Sequence, residues 1–344
     1  MRQLICGLVV LSGSLLAQGA PQAAKVVSLG NLAHTVESLE KTVPFYRDVL
    51  GLELRGAAGR PDPLQAQPAA LDADMSRFTA TQGAKFRAAV FNIPNASFGL
   101  ELTEFTGVAR KAGVPRIQDP GAATLVLQVK DMETSMQKLK QAGARVVTIG
   151  GEPVNPSGNA ASKMREVIVR DPDGFIVQLV RPDPLPAATS GGNVIGGSVT
   201  LAIEDTDKSV AFYRQTIGFQ ARPSSQLATN KVVADLIGLP GAQWRITHGN
   251  IPLTTPGGTT LDFALIEYRG PERKPFILGA HDPGSPAFTM VVADIEAAVS
   301  GWKAAGGTVL TTGGTPVVRT NGAGNVFVRD PNGLLWEFIQ RPKP

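Results

Sequence analysis

The chain contains two copies of one long sequence pattern. Phe45-Tyr46-Arg47 recurs as Phe212-Tyr213-Arg214, and the run at 170–174 (RDPDG) recurs at 329–333 (RDPNG). Three further matches keep the same order along the chain. Self-similarity of this kind is the signature of a duplicated structural unit. The sequence therefore predicts two similar domains of roughly 155 residues each.

The domain boundaries follow from the repeat and from local composition. One positive charge precedes an apolar, uncharged run over residues 4–17, and the small residues Ala17 and Gly19 follow, which is the pattern of a secretory signal. We predict a signal peptide over residues 1–20 and therefore export to the periplasm or the exterior. A first domain is expected over 25–183, a linker rich in Pro, Gly and Ser over 184–196, and a second domain over 197–344.

Composition excludes several classes of partner. The hydrophobic content of 43% and the charged content of 18% are typical of globular proteins. The net charge of +4 comes from scattered basic residues and gives no stripe for nucleic acid. No run after the predicted signal is long enough to anchor the chain in a membrane. The one cysteine, Cys6, lies inside the signal, so the mature chain would have no thiolate ligand or disulfide.

Each copy shows the same order of elements twice. Residues 28–36 alternate as a strand does, Ser38 can cap a helix with apolar residues at helical spacing, and three strand-like runs follow. Pro44 lies inside this helix and should distort it. The order restarts at Thr124. The sequence therefore predicts an α+β fold of four βαβββ modules.

Two pairs of motifs carry a family resemblance. They are VESLEKTVPFYRDVLGLEL (36–54) with RDPDGFIVQLVRP (170–182), and their copies at 203–219 and 329–342. With these motifs the chain resembles the vicinal-oxygen-chelate superfamily, which includes glyoxalases, bleomycin-resistance proteins and extradiol dioxygenases. The resemblance implies two open, cupped mixed sheets with helices outside. It also implies a small molecule in the cup, often with a divalent metal.

The resemblance further implies where metal ligands would stand. The first-strand, fourth-strand, fifth-strand and last-strand positions are Asn31, Glu101, Thr124 and Gln178 in the first half, and Ser198, Ala264, Ala287 and Glu337 in the second. Each half then offers one carboxylate among neutral groups, which does not suit Zn²⁺ or Fe²⁺. No cofactor is therefore expected. A divalent metal is the alternative, with His34, Glu101 and Glu337 as its candidate ligands.

Two histidines and two arginines leave alternatives open. His34 shares strand parity with the apolar residues around it, which favours a structural role, although a shifted register would make it a ligand. His248 lies on the strand of Arg245, where the first half has Val90, so no matching histidine indicates a packing role and a pocket role is open. Arg87 and Arg245 hold matched positions and could bind an anionic ligand group or pair with a carboxylate such as Glu104.

Three functional hypotheses follow. The leading one is an exported, metal-free, monomeric small-molecule-binding protein whose halves pair within the chain and form one cup each. Its pocket residues would be Asn31, Thr35, Arg87, Glu101, Thr124, Gln178, Ser198, Arg245, His248 and Glu337. The second is a glyoxalase-like lyase or isomerase, or a dioxygenase, using Glu337 or Glu101. The third is a non-catalytic scaffold whose second cup is filled by Leu335, Trp336 and Phe338.

Overall fold

A computed structural model describes residues 23–55, 62–187, 191–254 and 261–342. The predicted signal peptide lies outside these residues, and so do positions 188–190 of the predicted linker. Within the described ranges, no helix has the length and apolar character needed to cross a membrane.

Four modules repeat one order of elements. The first two contain β1 (Val26–Thr35), α1 (Leu39–Pro44), a π-helical turn (Phe45–Val49), β2 (Glu53–Leu54), β3 (Ala69–Ala70), α2 (Ala73–Thr79), β4 (Lys85–Asn92) and β5 (Gly99–Thr106), then β6 (Ala123–Val129), α3 (Met132–Gln141), β7 (Arg145–Val146), β8 (Arg165–Arg170) and β9 (Ile176–Arg181). The last two contain β10 (Val194–Ile203), α4 (Thr206–Ile217), β11 (Gln220–Ala221), α5 (Lys231–Leu236), β12 (Gln243–Ile251) and β13 (Leu261–Arg269), then β14 (Pro286–Val292), α6 (Ile295–Ala304), β15 (Thr308–Val309), β16 (Val317–Val318), β17 (Gly324–Arg329) and β18 (Leu335–Gln340).

The modules form two open mixed sheets with α1, α3, α4 and α6 on one face, which confirms the predicted fold class. Sheet A runs β15-β17-β18-β14-β1-β5-β4-β2 and joins the first module to the fourth. Sheet B runs β11-β12-β13-β10-β6-β9-β8-β7 and joins the second module to the third. The expectation of one cup in each half is therefore wrong, since each sheet takes one module from each half. The joins are the antiparallel pairs β1–β14 and β10–β6.

The main core lies between the sheets and their helices. In sheet A the alternate residues Leu32, Leu100 and Phe338 are buried against helix residues such as Leu39 and Trp302. Because successive strand residues point to opposite faces, the intervening side chains lie on the face away from the helices. We call this second face the inner face.

Pro44 changes the geometry of the first helix, as its position predicts. Proline cannot donate the hydrogen bond that a helix interior needs, and α1 gives way at Phe45 to the π-helical turn. The equivalent helix α4 has Ala211 at this position and runs unbroken over twelve residues. The two copies thus serve as an internal control on the effect of one proline.

The short helices α2 and α5 tie the halves together across the inner faces. The hydroxyl of Thr311 donates to the carbonyl of Phe78 (3.0 Å), and that of Thr148 donates to the carbonyl of Leu236 (3.0 Å). The ring of Phe78 stacks on Phe327 of sheet A at 4.5 Å. Each inner face is therefore partly covered by a short helix.

Candidate functional site

The inner face of sheet A brings two glutamates from different halves into one polar group. Glu101 lies on β5 of the first module, and Glu337 lies on β18 of the fourth. Asn31, Thr289 and Asn325 stand beside them and donate hydrogen bonds to their carboxylates. We call these five residues the carboxylate site.

Glu101 is a half-buried carboxylate with one amide partner. The Nδ2 of Asn31 donates to Oε2 of Glu101 at 2.8 Å. Burial raises the pKa of Glu101, while the Asn31 hydrogen bond and the charge of Arg55 oppose that rise. The charged form is disfavoured because the inner face replaces water with protein.

The pKa of Glu337 is raised more strongly than that of Glu101. The hydroxyl of Thr289 donates to Oε2 of Glu337 at 2.8 Å, and Nδ2 of Asn325 lies 3.4 Å from Oε1. Burial first, and then the charge of Glu101, raise the pKa of Glu337 to about 7, against the lowering effect of Thr289 and Asn325. The two carboxylates therefore influence each other across the strands that separate them.

The pairing of modules explains why the sequence did not predict this site. Counted by halves, Glu101 and Glu337 belong to different ligand sets, but the β1–β14 join places them on one sheet. Thr289, two residues after the predicted fifth-strand position Ala287, is the residue that donates to Glu337. Ala287 is buried opposite Leu335, while Thr289 lies opposite Glu337.

Sheet B has a different polar group at the matching place. The Nε2 of Gln178 donates to Oε2 of Glu166 at 2.7 Å, and burial raises the pKa of Glu166 while this bond lowers it. Acid and amide have exchanged positions, since Glu166 aligns with Asn325 and Gln178 with Glu337. Ser198 lies opposite Val126 on the neighbouring strand. Glu166 was not among the predicted site residues, although a lone carboxylate inside a largely apolar strand is a visible signal.

Three other predicted pocket residues lie at the margins of the inner faces. The hydroxyl of Thr35 donates to the carbonyl of Ala280 at 2.7 Å, so Thr35 is covered by the segment that precedes β14. Thr124 is buried opposite Ile176 in sheet B. His248 is exposed on β12. None of these residues is in hydrogen-bond contact with the carboxylate site.

The two arginines lie on the helix side of the sheets, which corrects their assignment to the pocket. Arg87 forms ion pairs with Glu104 at 2.8 Å and Glu40 at 2.7 Å. Arg245 pairs with Asp207 at 3.0 Å. Strand parity decides the outcome, because Arg87 is the cross-strand neighbour of Glu104, whose carboxylate accepts the first-turn N–H of α1.

Trp336 and Phe338 also point away from the inner face. Both are fully buried in the core beside Trp302. Trp336 and Phe338 therefore do not fill the cup of sheet A. The hypothesis of a non-catalytic scaffold rested on these side chains and loses that support. Leu335 remains on the inner face, buried beside Ala287.

His34 takes part in a buried cluster on the helix side. One ligand atom from each of His34, Asp171 and Asp173 lies within 4.8 Å of the others, so the cluster has the composition of a metal site. The Nε2 of His34 lies 3.0 Å from Oδ2 of Asp171, and the ring stacks on Phe175 at 4.4 Å. The hydroxyl of Tyr46 donates to the same Oδ2 at 3.0 Å.

The second half builds the same network without a histidine. Asp330 accepts hydrogen bonds from the hydroxyl of Tyr213, from Nε1 of Trp336 at 3.2 Å, and from two N–H groups of its own turn. Asp171 likewise accepts from two N–H groups of its turn. The equivalent network needs only donors, so a structural role accounts for His34 and Asp171.

Comparison with known proteins supports the assignment of the fold. The model of the Glyoxalase/Bleomycin resistance protein/Dioxygenase superfamily matches residues 28–179 and 197–338. A 2-epi-5-epi-valiolone epimerase from Actinomyces sp. is 28% identical over 171 residues, which cover 49% of this chain and 84% of that protein.

Solved structures show the same fold at low identity. Glyoxalase I from Zea mays superposes with a TM-score of 0.58 at 16% identity and covers 92% of each chain. A Bacillus subtilis protein described as a dioxygenase superposes with a TM-score of 0.50 at 16% identity, over 93% of this chain and 87% of that one. At these identities the likeness concerns the fold alone.

Proposed function

Since the chain belongs to the glyoxalase/bleomycin resistance/dioxygenase superfamily, we propose that it is an enzyme that transfers protons on a small, oxygen-rich molecule. The substrate would bind on the inner face of sheet A at the carboxylate site. The reaction class is epimerisation or isomerisation next to a carbonyl group.

One observation carries this proposal, namely that the pKa of Glu337 lies at about 7 beside a second carboxylate. A general base works best when its pKa lies near the working pH, and burial is a common way to raise that of a glutamate. Epimerisation removes a proton from one face of a carbon and returns one to the other. Glu337 and Glu101 supply two groups for these steps, and the epimerase among the relatives supports the same class.

The neutral residues of the site suit the binding of an oxygen-rich ligand. Asn31, Thr289 and Asn325 now donate to the two carboxylates. They lie where they could also bind hydroxyl or carbonyl oxygens of a substrate. A few placed polar groups on a largely apolar surface are typical of small-molecule sites.

The carboxylate site also fits one class of metal ion. Two carboxylates, an amide oxygen and a hydroxyl are hard donors, which suit Mg²⁺, Mn²⁺ or Ca²⁺ better than Zn²⁺ or Fe²⁺. Both carboxylates have raised pKa values, and a nearby cation would relieve their repulsion. Glu101 and Glu337 would hold such an ion, which would polarise a substrate oxygen. Because the cation would also lower the pKa of Glu337, the metal-free site is the one in which Glu337 acts as the base.

Deuterium exchange tests the proposed chemistry. The mature protein would be incubated in D₂O with 1,3-dihydroxyacetone and 2-hydroxycyclohexanone, and loss of the proton next to the carbonyl followed by NMR. We expect exchange by the wild type, loss of exchange in Glu337→Gln, and normal exchange in Glu166→Gln. The last variant removes the matching carboxylate of sheet B. Equal exchange by wild type and Glu337→Gln would contradict the proposal.

A second candidate function is binding without chemistry. The neutral side chains of Asn31 and Thr289, rather than histidines, are the partners of Glu101 and Glu337, which favours a ligand-sequestering role. Saturable binding of a hydroxyketone with no deuterium exchange, at any pH between 5 and 9, would select this second function.

We also propose that the protein is exported, because of the signal pattern over residues 1–20. The mature N-terminus in a periplasmic or culture fraction, determined by mass spectrometry, would test this. A chain retained in the cytoplasm with residues 1–20 still attached would contradict it.

A further inference from the structure

A groove on the helix side of sheet B forms a separate surface site. Its volume is about 710 Å³, within the range of small-molecule pockets. Met132 and Met136 of α3, both buried, form an apolar floor together with Pro153. The walls carry five basic residues, which are Lys130, Lys140, Lys163, Arg165 and Arg181.

Most of this positive charge is absent from the matching module of the second half. Lys130, Lys163 and Arg165 align with Ala293, Gly322 and Gly324. The strand register places Arg181 at the position of Gln340, one residue before Arg341. The acidic residues at the start of the helix are kept, since Asp131 and Glu133 align with Asp294 and Glu296. Because the second half builds the same elements without these four cations, the fold does not require them.

The two arginines face each other across neighbouring strands. Arg165 and Arg181 are direct cross-strand partners in the β8–β9 pair, an arrangement in which like charges repel. Backbone carbonyls fix their positions. Arg165 donates to the carbonyls of Ser162 (3.1 Å) and Met164 (2.6 Å), and Arg181 donates to that of Lys163 (3.0 Å).

Nearby acidic groups do not neutralise this pair. Across the described ranges, neither guanidinium forms an ion pair with a carboxylate. Asp131 and Asp183 both feel the charge of Arg181. Asp131 caps α3 through the N–H of Thr134, and Asp183 accepts from the hydroxyl of Ser162 and the N–H of Lys163. Glu152 is paired with Lys140 at 2.7 Å. The groove therefore holds two preorganised cations whose repulsion a bound anion would relieve.

We propose that this groove binds an amphipathic organic anion. A phosphate or carboxylate head would lie against Arg165, Arg181 and Lys163, since the planar guanidinium suits bidentate contacts with such groups. An alkyl or ring-shaped body would lie on Met132 and Met136, because methionine adapts to varied apolar shapes. The site lies on the opposite face of sheet B from the inner face and does not depend on the proposed enzymatic function.

Calorimetric titration with octyl phosphate, below its micelle concentration, tests this proposal. The Lys130→Ala, Arg181→Gln double variant introduces the residues that the second half carries at these positions, so the fold should tolerate it. We expect at least tenfold weaker binding in the double variant and at least tenfold weaker binding of inorganic phosphate to the wild type. Arg214→Gln removes an exposed charge of α4 and should leave binding unchanged.

Three results of the calorimetric titration would overturn the proposal. They are no saturable binding of octyl phosphate, full binding by the double variant, and an equal loss in Arg214→Gln. A parallel arm uses vesicles containing an anionic phospholipid. Retention on vesicles without binding of soluble octyl phosphate would assign the groove to a membrane surface and would equally overturn the proposal.

Discussion

The hydrogen bond from Thr289 stabilises the charged form of Glu337. The hydroxyl of Thr289 donates to the carboxylate and lowers the pKa of Glu337 against the effect of burial. The matching strand of sheet B carries Val126, so Thr289→Val is compatible with the fold. A hydrogen bond to a charged group contributes about 1.5–3 kcal/mol. We expect the acid limb of the exchange activity to move up by about one to two pH units.

A pH profile that does not move in Thr289→Val would show that Glu337 is not the titrating base. The control is Thr35→Val, which removes a hydroxyl whose hydrogen bond goes to the carbonyl of Ala280, away from Glu337. This control should keep the acid limb of the wild type.

Glu337 should also make the folded protein less stable as the pH rises. Its pKa is raised from 4.5 to about 7, so the folded state binds this proton more tightly than the unfolded state does. Stability therefore falls as the pH rises from about 4.5 to 7. Urea unfolding should show that the wild type loses about 2 kcal/mol more than Glu337→Gln over this range. If the free energy of unfolding of the two proteins changed equally with pH, the raised pKa of Glu337 would be contradicted.

The residue types of the site were visible in the sequence, but their partners were not. Asn31, Glu101 and Glu337 were identified from the family pattern. Glu337 meets Glu101 only because β1 pairs with β14, and this contact depends on which strand edges meet. Thr289 was missed because the family pattern placed this position at Ala287, and the contact of Thr289 with Glu337 depends on the register of β14 against β18. Side-chain periodicity does not reveal which residues of two strands lie opposite each other.

At the scale of elements, α2 should stabilise sheet A through one ring. Phe78 is buried and stacks on Phe327, and deletion of a buried aromatic ring costs about 3–5 kcal/mol. Asp72→Ala weakens the same helix by removing its N-cap bond to the N–H of Met75, at a cost of about 1 kcal/mol. Phe78→Ala should therefore destabilise the protein more in urea unfolding. An effect no larger than that of Asp72→Ala would show that α2 does not pack on sheet A.

Elements with strong local signals were predictable from the sequence. Local residues determine the Asp-Pro turns, the ends of the helices at glycine and the distortion at Pro44. The turns recur in both halves, whereas the distortion occurs only in the half that has the proline. The inward face of each strand was harder to assign. Arg87 and Arg245 looked like pocket residues in apolar strands, yet strand parity directs them to the helices.

For the whole molecule, the main consequence of the fold is that neither half contains a complete carboxylate site. Glu101 lies in the first half and Glu337 in the second, and sheet A requires both. Residues 21–187 and 191–344 produced together should form a one-to-one complex that catalyses exchange. Each half alone should be inactive. Size-exclusion chromatography and the D₂O assay check this, and exchange by an isolated half would contradict the shared site.

The duplication was readable from the sequence because motifs repeat in order, but the pairing of modules was not. A module can join its neighbour in the same half or a module of the other half, and both arrangements bury similar strands. The choice depends on which edges of β1 and β14 remain free and on the segments that connect the modules. These are long-range properties without a local sequence signal.

The most direct test of the account is the pKa of Glu337 measured by NMR of the ¹³C-labelled carboxyl groups, with the signal assigned by Glu337→Gln. We predict a value of about 7 in the wild type. In Glu101→Gln the value should fall, because the second negative charge is gone. A value near 4.5 in both proteins would show that the two carboxylates do not form one site, and would contradict the proposed function.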